Sequence, residues 1–229
     1  MKAMLMCLAL VASSLAGATP VPFATARYDV SASAEAGSQL DGPTDASGEA
    51  GALPLIVNAD ALDGFDLASA SAIADDGVLG TTAEAAADDL FASALGTANL
   101  FATIDEAGRY RLRIDFDSFS DSIDGFAAGT LLIGLNVDGV DLVDTALTGS
   151  QRWVRDFSLV DNALLDLTLI SEAEALAGAY GFNLASAEFA LLRIAEPDPL
   201  ALLALLLPLL GAMRRRRCDQ ATVGRAWCG

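Results

Sequence analysis

The chain has 229 residues, with 13 Lys and Arg against 31 Asp and Glu, no histidine, a net charge of −18 and a pI near 4.1. That length admits one β domain, or two small ones, with a genuine core. The lack of histidine excludes a Ser-His-Asp triad, a Cys-His dyad and any histidine zinc site, and the acid excess repels nucleic acid and anionic membrane surfaces.

Residues 1–18 read MKAMLMCLALVASSLAGA: Lys2 as a basic start, an apolar run from Met4 to Leu15, then Ala16 and Ala18 framing an A-x-A exit. Those features in that order are a signal peptide, with cleavage after Ala18 or, at the second A-x-A, after Ala26. An exported chain passes through the Sec translocon and signal peptidase. Residues 27–195 are then the exported domain.

ARYDVSASAEA alternates through Tyr28, Val30, Ala32 and Ala34 as a strand with a small inner face. Gln39 to Leu53 reads as a polar Gly/Asp/Ser loop, and LPLIVNA as a buried strand. TTAEAAADDLFASAL divides between two expectations. Thr81 and Glu84 have capping-box spacing before an Ala-rich run, which favours a helix, while its small residues equally suit a tight sheet.

RYRLRIDFD puts Tyr110, Leu112, Ile114 and Phe116 on one face and Arg109, Arg111, Arg113, Asp115 and Asp117 on the other, a half-buried strand. LLIGLNVDGVDLVD carries a two-residue Asp138-Gly139 hairpin signal that pairs Val137 with Val140 and Leu135 with Leu142. Further runs cover Arg152 to Leu159, Leu164 to Ile170, Tyr180 to Leu184 and Ala187 to Ile194. Short strands spaced by turn residues give an antiparallel, jelly-roll-like β-sandwich.

Chemistry is sparse along this stretch. The exported body, counted from Thr19 to Pro197, holds seven basic residues against 29 acidic ones, a charge of −22, with no Lys, Cys or His. Carboxylate pairs at such density arise by chance, so no catalytic residue is assigned and no enzyme activity is expected. Asp117, Asp121 and Asp124 in DSFSDSIDG offer hard oxygen donors for Ca2+, without the EF-hand pattern; a solvated acidic surface is the plainer account. No other cofactor is implied. Arg109, Arg111 and Arg113 suit an acidic glycan through guanidinium forks, or cross-strand pairing with nearby aspartates. Trp153 shares the inward face with Phe157.

At the other end, Leu200 to Met213 carries no charge and is followed by Arg214, Arg215, Arg216 and Arg217. Four arginines hold that end in the cytoplasm. Fourteen residues rise only about 21 Å, so this short transmembrane helix is a marginal anchor, further weakened by Pro208.

Glu196 and Pro197, then this helix, then Arg214 to Arg217, together resemble the PEP-CTERM sorting signal of exported bacterial proteins. Ala195 stands where the first proline of the motif would be, and the chain runs on past the arginines. The resemblance covers residues 196–217, with 218–229 as a cytoplasmic tail. It implies processing by an exosortase-type enzyme after transient residence in the inner membrane, in Gram-negative bacteria that make exopolysaccharide. Cys7 lies in the signal peptide and Cys218 and Cys228 beyond the arginines, so no disulfide framework forms in the body.

The expectation is an exported, non-enzymatic protein of the cell surface or extracellular matrix, associated with exopolysaccharide or biofilm. Two alternatives stand beside it: a carbohydrate-binding or glycan-processing domain on the same route, and a plain membrane-tethered periplasmic protein.

Overall fold

Period-two burial governs nearly every element of the computed structural model, which describes residues 18–37, 42–159 and 162–195. In β2 (Thr25–Ala36), Tyr28, Val30, Ala32, Ala34 and Ala36 are buried and the residues between them are not, as a strand packed on one face requires. The same alternation runs through β5 (Asp66–Asp75), β6 (Val78–Ala87), β7 (Phe91–Ile104), β8 (Gly108–Ile123), β9 (Phe126–Val137), β12 (Ala163–Leu176) and β13 (Ala179–Ile194). Shorter or more exposed strands complete the set: β1 (Thr19–Pro20), β3 (Thr44–Gly51), β4 (Leu55–Asp63), β10 (Val140–Thr148) and β11 (Gln151–Leu159).

Two sheets result. One runs β11-β8-β13-β6-β5-β4, with β1 beside β13, and the other β10-β9-β12-β7-β2-β3. The pairings given in register are antiparallel. The inner faces share one hydrophobic core, so the expected antiparallel β-sandwich is the observed fold. From β6 onward the chain passes back and forth between the sheets, leaving β6-β13-β8-β11 opposed to β7-β12-β9-β10. That is the connectivity of two Greek keys. The earlier hairpins widen each sheet by two strands.

The core is thin in one half and thick in the other. Ala32, Ala34, Ala36, Ala68, Ala70, Ala83, Ala85, Ala92 and Ala94 are all buried, whereas Leu112, Ile114, Phe116, Leu131, Ile133, Leu135 and Leu167 fill the other half. Small inner residues let the sheets approach. At Gly96 of β7, a Cβ would lie 2.6 Å from the Ser71 carbonyl oxygen and 2.8 Å from that of Thr82, both in the opposite sheet. Only glycine fits there.

A polar chain joins the sheets at the same level, because the β7/β12 register sets Gly96 opposite Ser171. Thr81 Oγ1 and Ser171 Oγ are 2.7 Å apart, and Ser171 donates to Asn183 Oδ1 at 2.6 Å. The Asn183 amide then donates to the Phe119 carbonyl at 3.0 Å and to Ser120 Oγ at 2.8 Å. All three central residues are buried, and no buried side-chain polar atom among the described residues lacks a partner. Full satisfaction is what makes such a network tolerable in a core.

Several expectations change. The helix over Thr81 to Leu95 is not formed: this stretch is β6, a turn and β7, with Ala83, Ala85, Ala87, Ala92 and Ala94 buried on alternate positions. Packing two sheets through alanine outweighs the helix preference of the same residues. The loop over Gln39 to Leu53 contains β3, paired with β2 from Tyr28↔Gly51 to Glu35↔Thr44. The LPLIVNA strand is β4, an edge strand that exposes Ile56 and is buried on one face only. In the Asp138-Gly139 hairpin, whose φ angles are 51° and 81°, Val137 pairs with Val140 as expected. A bulge then pairs Leu135 with Val143 instead of Leu142; Val143 is 9% exposed and Leu142 41%. The Tyr180 and Ala187 runs are one strand, β13, in which Tyr180, Phe182 and Leu184 point outward over an inner row of Gly181, Asn183 and Ala185.

The described residues Pro20–Arg193 make up one compact unit. Ala16, Glu196, Pro197 and Arg214 to Arg217, and with them most of the signal peptide and all of the sorting element and tail, lie outside the described residues. Ala18 is described and exposed. Among the described residues no helix is long and apolar enough to cross a membrane.

Candidate functional site

The arginine row lies where alternation puts it, on the outward face of β8. Register sets Arg111 opposite Asp156 and Asp115 opposite Arg152. Arg111 grips Asp156 with two hydrogen bonds, 2.7 Å from Nε and 2.8 Å from Nη2. Asp115 accepts from Arg113 Nε at 2.8 Å and from Arg152 at 2.5 Å. The hydrogen bond from Arg111 lowers the Asp156 carboxyl below its usual range, and that from Arg152, assisted by Arg113, lowers Asp115. Two of the three guanidinium groups are thus engaged by neighbours in the sheet. Arg109 makes no ion pair among the described residues and contributes only a longer-range attraction to Asp156.

The acidic trio is not a loop. Asp117 and Asp121 stand on β8 itself, exposed on its outward face, about 13 Å apart at 3.3 Å per residue. Asp124 follows in a left-handed conformation, φ 54°. The extended backbone keeps the three apart, and no group of three acidic side chains among the described residues could hold a metal ion. Trp153 and Phe157 of β11 are partly buried against the core, and Phe157 stacks on Tyr110 with centroids 5.9 Å apart. Their inward placement follows the alternation.

A feature that strand patterns did not reveal lies on the outward face of the six-stranded sheet. A groove of about 590 Å3 crosses β2, β7, β12, β9 and β10. Register builds it from two rungs. One runs Asp144, Gly134, Asp166, Phe101, Arg27, and the next Asp141, Asn136, Leu164, Thr103, Thr25. Gly134 supplies no side chain between Asp144 and Asp166, which leaves a hollow beside Phe101. Two large apolar side chains stand open to solvent within it: Leu164 is 60% exposed and Phe101 41%.

The polar groups around them are held in place. Asn136 donates to Asp141 at 2.8 Å and accepts from the Gly139 amide at 2.9 Å, so the hairpin turn fixes one wall. Thr25 and Thr103 hydroxyls are 2.7 Å apart, and Arg27 Nε donates to Asp29 at 3.2 Å. Asp166 accepts from the Thr168 hydroxyl at 3.3 Å. Burial nonetheless pushes its carboxyl above the usual range, only partly offset by that bond. A partly desolvated carboxylate beside exposed apolar side chains is the pairing found in binding hollows. A signal for it exists in NLFATI and ALLDLTLI, where Phe101 and Leu164 occupy the polar phase of their strands.

A second hollow of about 740 Å3 lies against Pro22, Phe23, Tyr28, Leu53 and Phe189. Phe23 and Phe189 pack on each other there at 6.3 Å. Burial, then the nearby Asp76 charge, raises the Tyr28 phenol. Among the described residues Asp76 is the one charged side chain that lines it, whereas Arg27, Asp141 and Asp166 line the groove over Phe101, which is the better-built site.

No family model matches the chain, and no curated protein matches it. Among solved structures, one match is TmCBM61 in complex with β-1,4-galactotriose: 12% identical, covering 54% of this chain and 86% of that one, at a TM-score of 0.27. Another is the structure of infectious bursal disease virus Gx strain: 11% identical, 91% of this chain and 79% of that one, at 0.17. Neither likeness is close enough to inform the site.

Proposed function

We propose that this chain is an exported surface or matrix protein whose β-sandwich binds a glycan without turning it over, in the groove over Phe101. The observation that carries the reading is the composition of that groove: Phe101 and Leu164 exposed on the outward sheet face, flanked by Asp166, Asp141, Asn136 and Arg27. Apolar side chains suit the C–H faces of a sugar, and carboxylates and an amide accept or donate to its hydroxyls. The net charge of −22 on the body favours a neutral polymer over an anionic one.

Affinity electrophoresis of the full chain tests this in gels containing β-1,4-galactan, β-1,3-glucan or alginate. Retardation by a neutral polymer, lost on Phe101→Ala or Asp166→Ala, is expected. Equal mobility in every gel overturns it.

Delivery is proposed to follow the PEP-CTERM-like route, supported by Glu196, Pro197 and the Arg214 to Arg217 cluster in the sequence. Intact mass of the exported protein decides between this and a retained anchor. A species ending before Arg214 is expected, and one that keeps Arg214 to Gly229 overturns the sorting reading in favour of a tethered protein.

A further inference from the structure

Aromatic residues make up 7% of this chain, and most of those described are buried or partly so. Three of them nevertheless gather on the outward face of the seven-stranded sheet, the face opposite the groove. Tyr180 and Phe182 are two residues apart on β13, and the Phe182 ring meets that of Phe119 on β8 with centroids 6.3 Å apart. Phe119 is 60% exposed, and Leu184 extends the strip along β13.

Their setting is not that of a stray hydrophobic patch. Phe182 lies opposite Glu84 in the β13/β6 register, and the Glu84 and Asp121 carboxylates stand close enough to Tyr180 to add to the rise that burial gives its phenol. The strip thus has ring faces in its middle and carboxylate acceptors on its flank. The paired strands β6 and β13 hold the Tyr180 and Phe182 side of the strip rigid, which lowers the ordering cost of binding.

We infer that this aromatic strip is a second glycan surface, back to back with the groove, so that one domain bridges two neutral polysaccharide chains. The bridging rests on the glycan reading of the groove, whereas the strip stands on its own residues. Charge selects the occupant. An anionic polymer meets Glu84 and Asp121 on a body of net charge −22, and a second copy of the chain brings another −22 to the same contact. A neutral sugar polymer brings hydroxyl donors for the carboxylates and C–H faces for the rings. Two sites on one body raise avidity for a polymer without tightening either site.

Calorimetry of the full chain with hexasaccharides of β-1,4-galactan, β-1,4-glucan and β-1,3-glucan separates the possibilities. The expected result is two sites per chain for at least one of these sugars. One site should disappear in Phe119→Ala/Phe182→Ala and the other in Phe101→Ala, with the thermal midpoint as a control for folding. Each single ring removal should weaken its own site by about tenfold or more, the scale of a stacked ring. A single site lost only on Phe101→Ala overturns the inference and leaves the groove reading standing. A single site lost only in the Phe119/Phe182 pair supports the strip and overturns the groove. No binding in any arm overturns both. Sedimentation velocity closes the remaining route: if wild type dimerises and the Phe119/Phe182 pair does not, the strip is a self-association face and the inference fails.

Discussion

At Gly96 a single methyl group decides whether two sheets can meet. Its Cβ would overlap backbone carbonyls of Ser71 and Thr82, which cannot swing aside as a side chain tip would. Gly96→Ala is therefore expected to cost about 1–3 kcal/mol, the range for overpacking a core. Urea unfolding monitored by circular dichroism checks this, and an unchanged midpoint would show that the sheets separate freely at this level. Asp166 works in the other direction. Its carboxyl is raised by burial, so the folded state binds that proton more tightly than the unfolded chain, and stability from this group grows as pH falls through the carboxylate range. Asp166→Asn should accordingly be more stable than wild type at pH 7. The difference should shrink toward pH 3, below the unfolded value of about 3.9. Thermal midpoints across that range provide the measurement, and a variant less stable at pH 7 contradicts the assignment. A carboxylate retained where an amide folds better is a mark of use.

Strands are the scale at which sequence and structure agree best and also where they part. β8 could be read directly because its inward residues are Tyr, Leu, Ile and Phe and its outward ones Arg and Asp, so period two is written in both size and charge. β6 and β7 could not, because alanine inside and alanine, serine or threonine outside give little contrast, and the same string satisfies a helix. Only the opposing sheet resolves that ambiguity. The bulge at Leu142 was equally hidden, since a DGVDLV string fits either register until Val143 meets the core. The groove over Phe101 depends on five strands lying side by side in one register, an arrangement no local window contains. The ion pairs between β8 and β11 were foreseeable from alternation, but they are exposed, with Arg111 and Asp156 side chains 44% and 42% accessible. Solvent screening leaves such pairs little weight. Arg111→Ala should keep the thermal midpoint within about 2 °C of wild type; a larger fall would mean that the β8/β11 edge depends on that pair.

For the molecule as a whole, the balance of charge outweighs any one pair. A body of −22 with five ion pairs among its described residues repels itself, and added salt screens that repulsion over about 10 Å at 0.1 M. Raising NaCl from 10 mM to 0.5 M should lift the melting temperature by a few degrees. A fall would show that screening of the exposed pairs dominates. At the sandwich edge the two sheets are also tied by side chains: the Asp60 amide donates to Asp45 at 3.1 Å and Ser47 donates to the Asn58 carbonyl at 2.5 Å, joining edge strands β3 and β4. Unpaired edge groups are thereby occupied.

The chain of hydroxyls between the sheets has a direction. Ser171 owns one proton, and its 2.6 Å contact with Asn183 Oδ1 claims it, so Thr81 must be the donor in the 2.7 Å contact. Both hydroxyl protons are then fixed in orientation and shut away from water inside the core, with Thr81 2% exposed and Ser171 0%. Proton NMR should detect them as separate resonances that persist for hours in deuterium oxide, which makes the middle of the sandwich its own clock for how often the two sheets part.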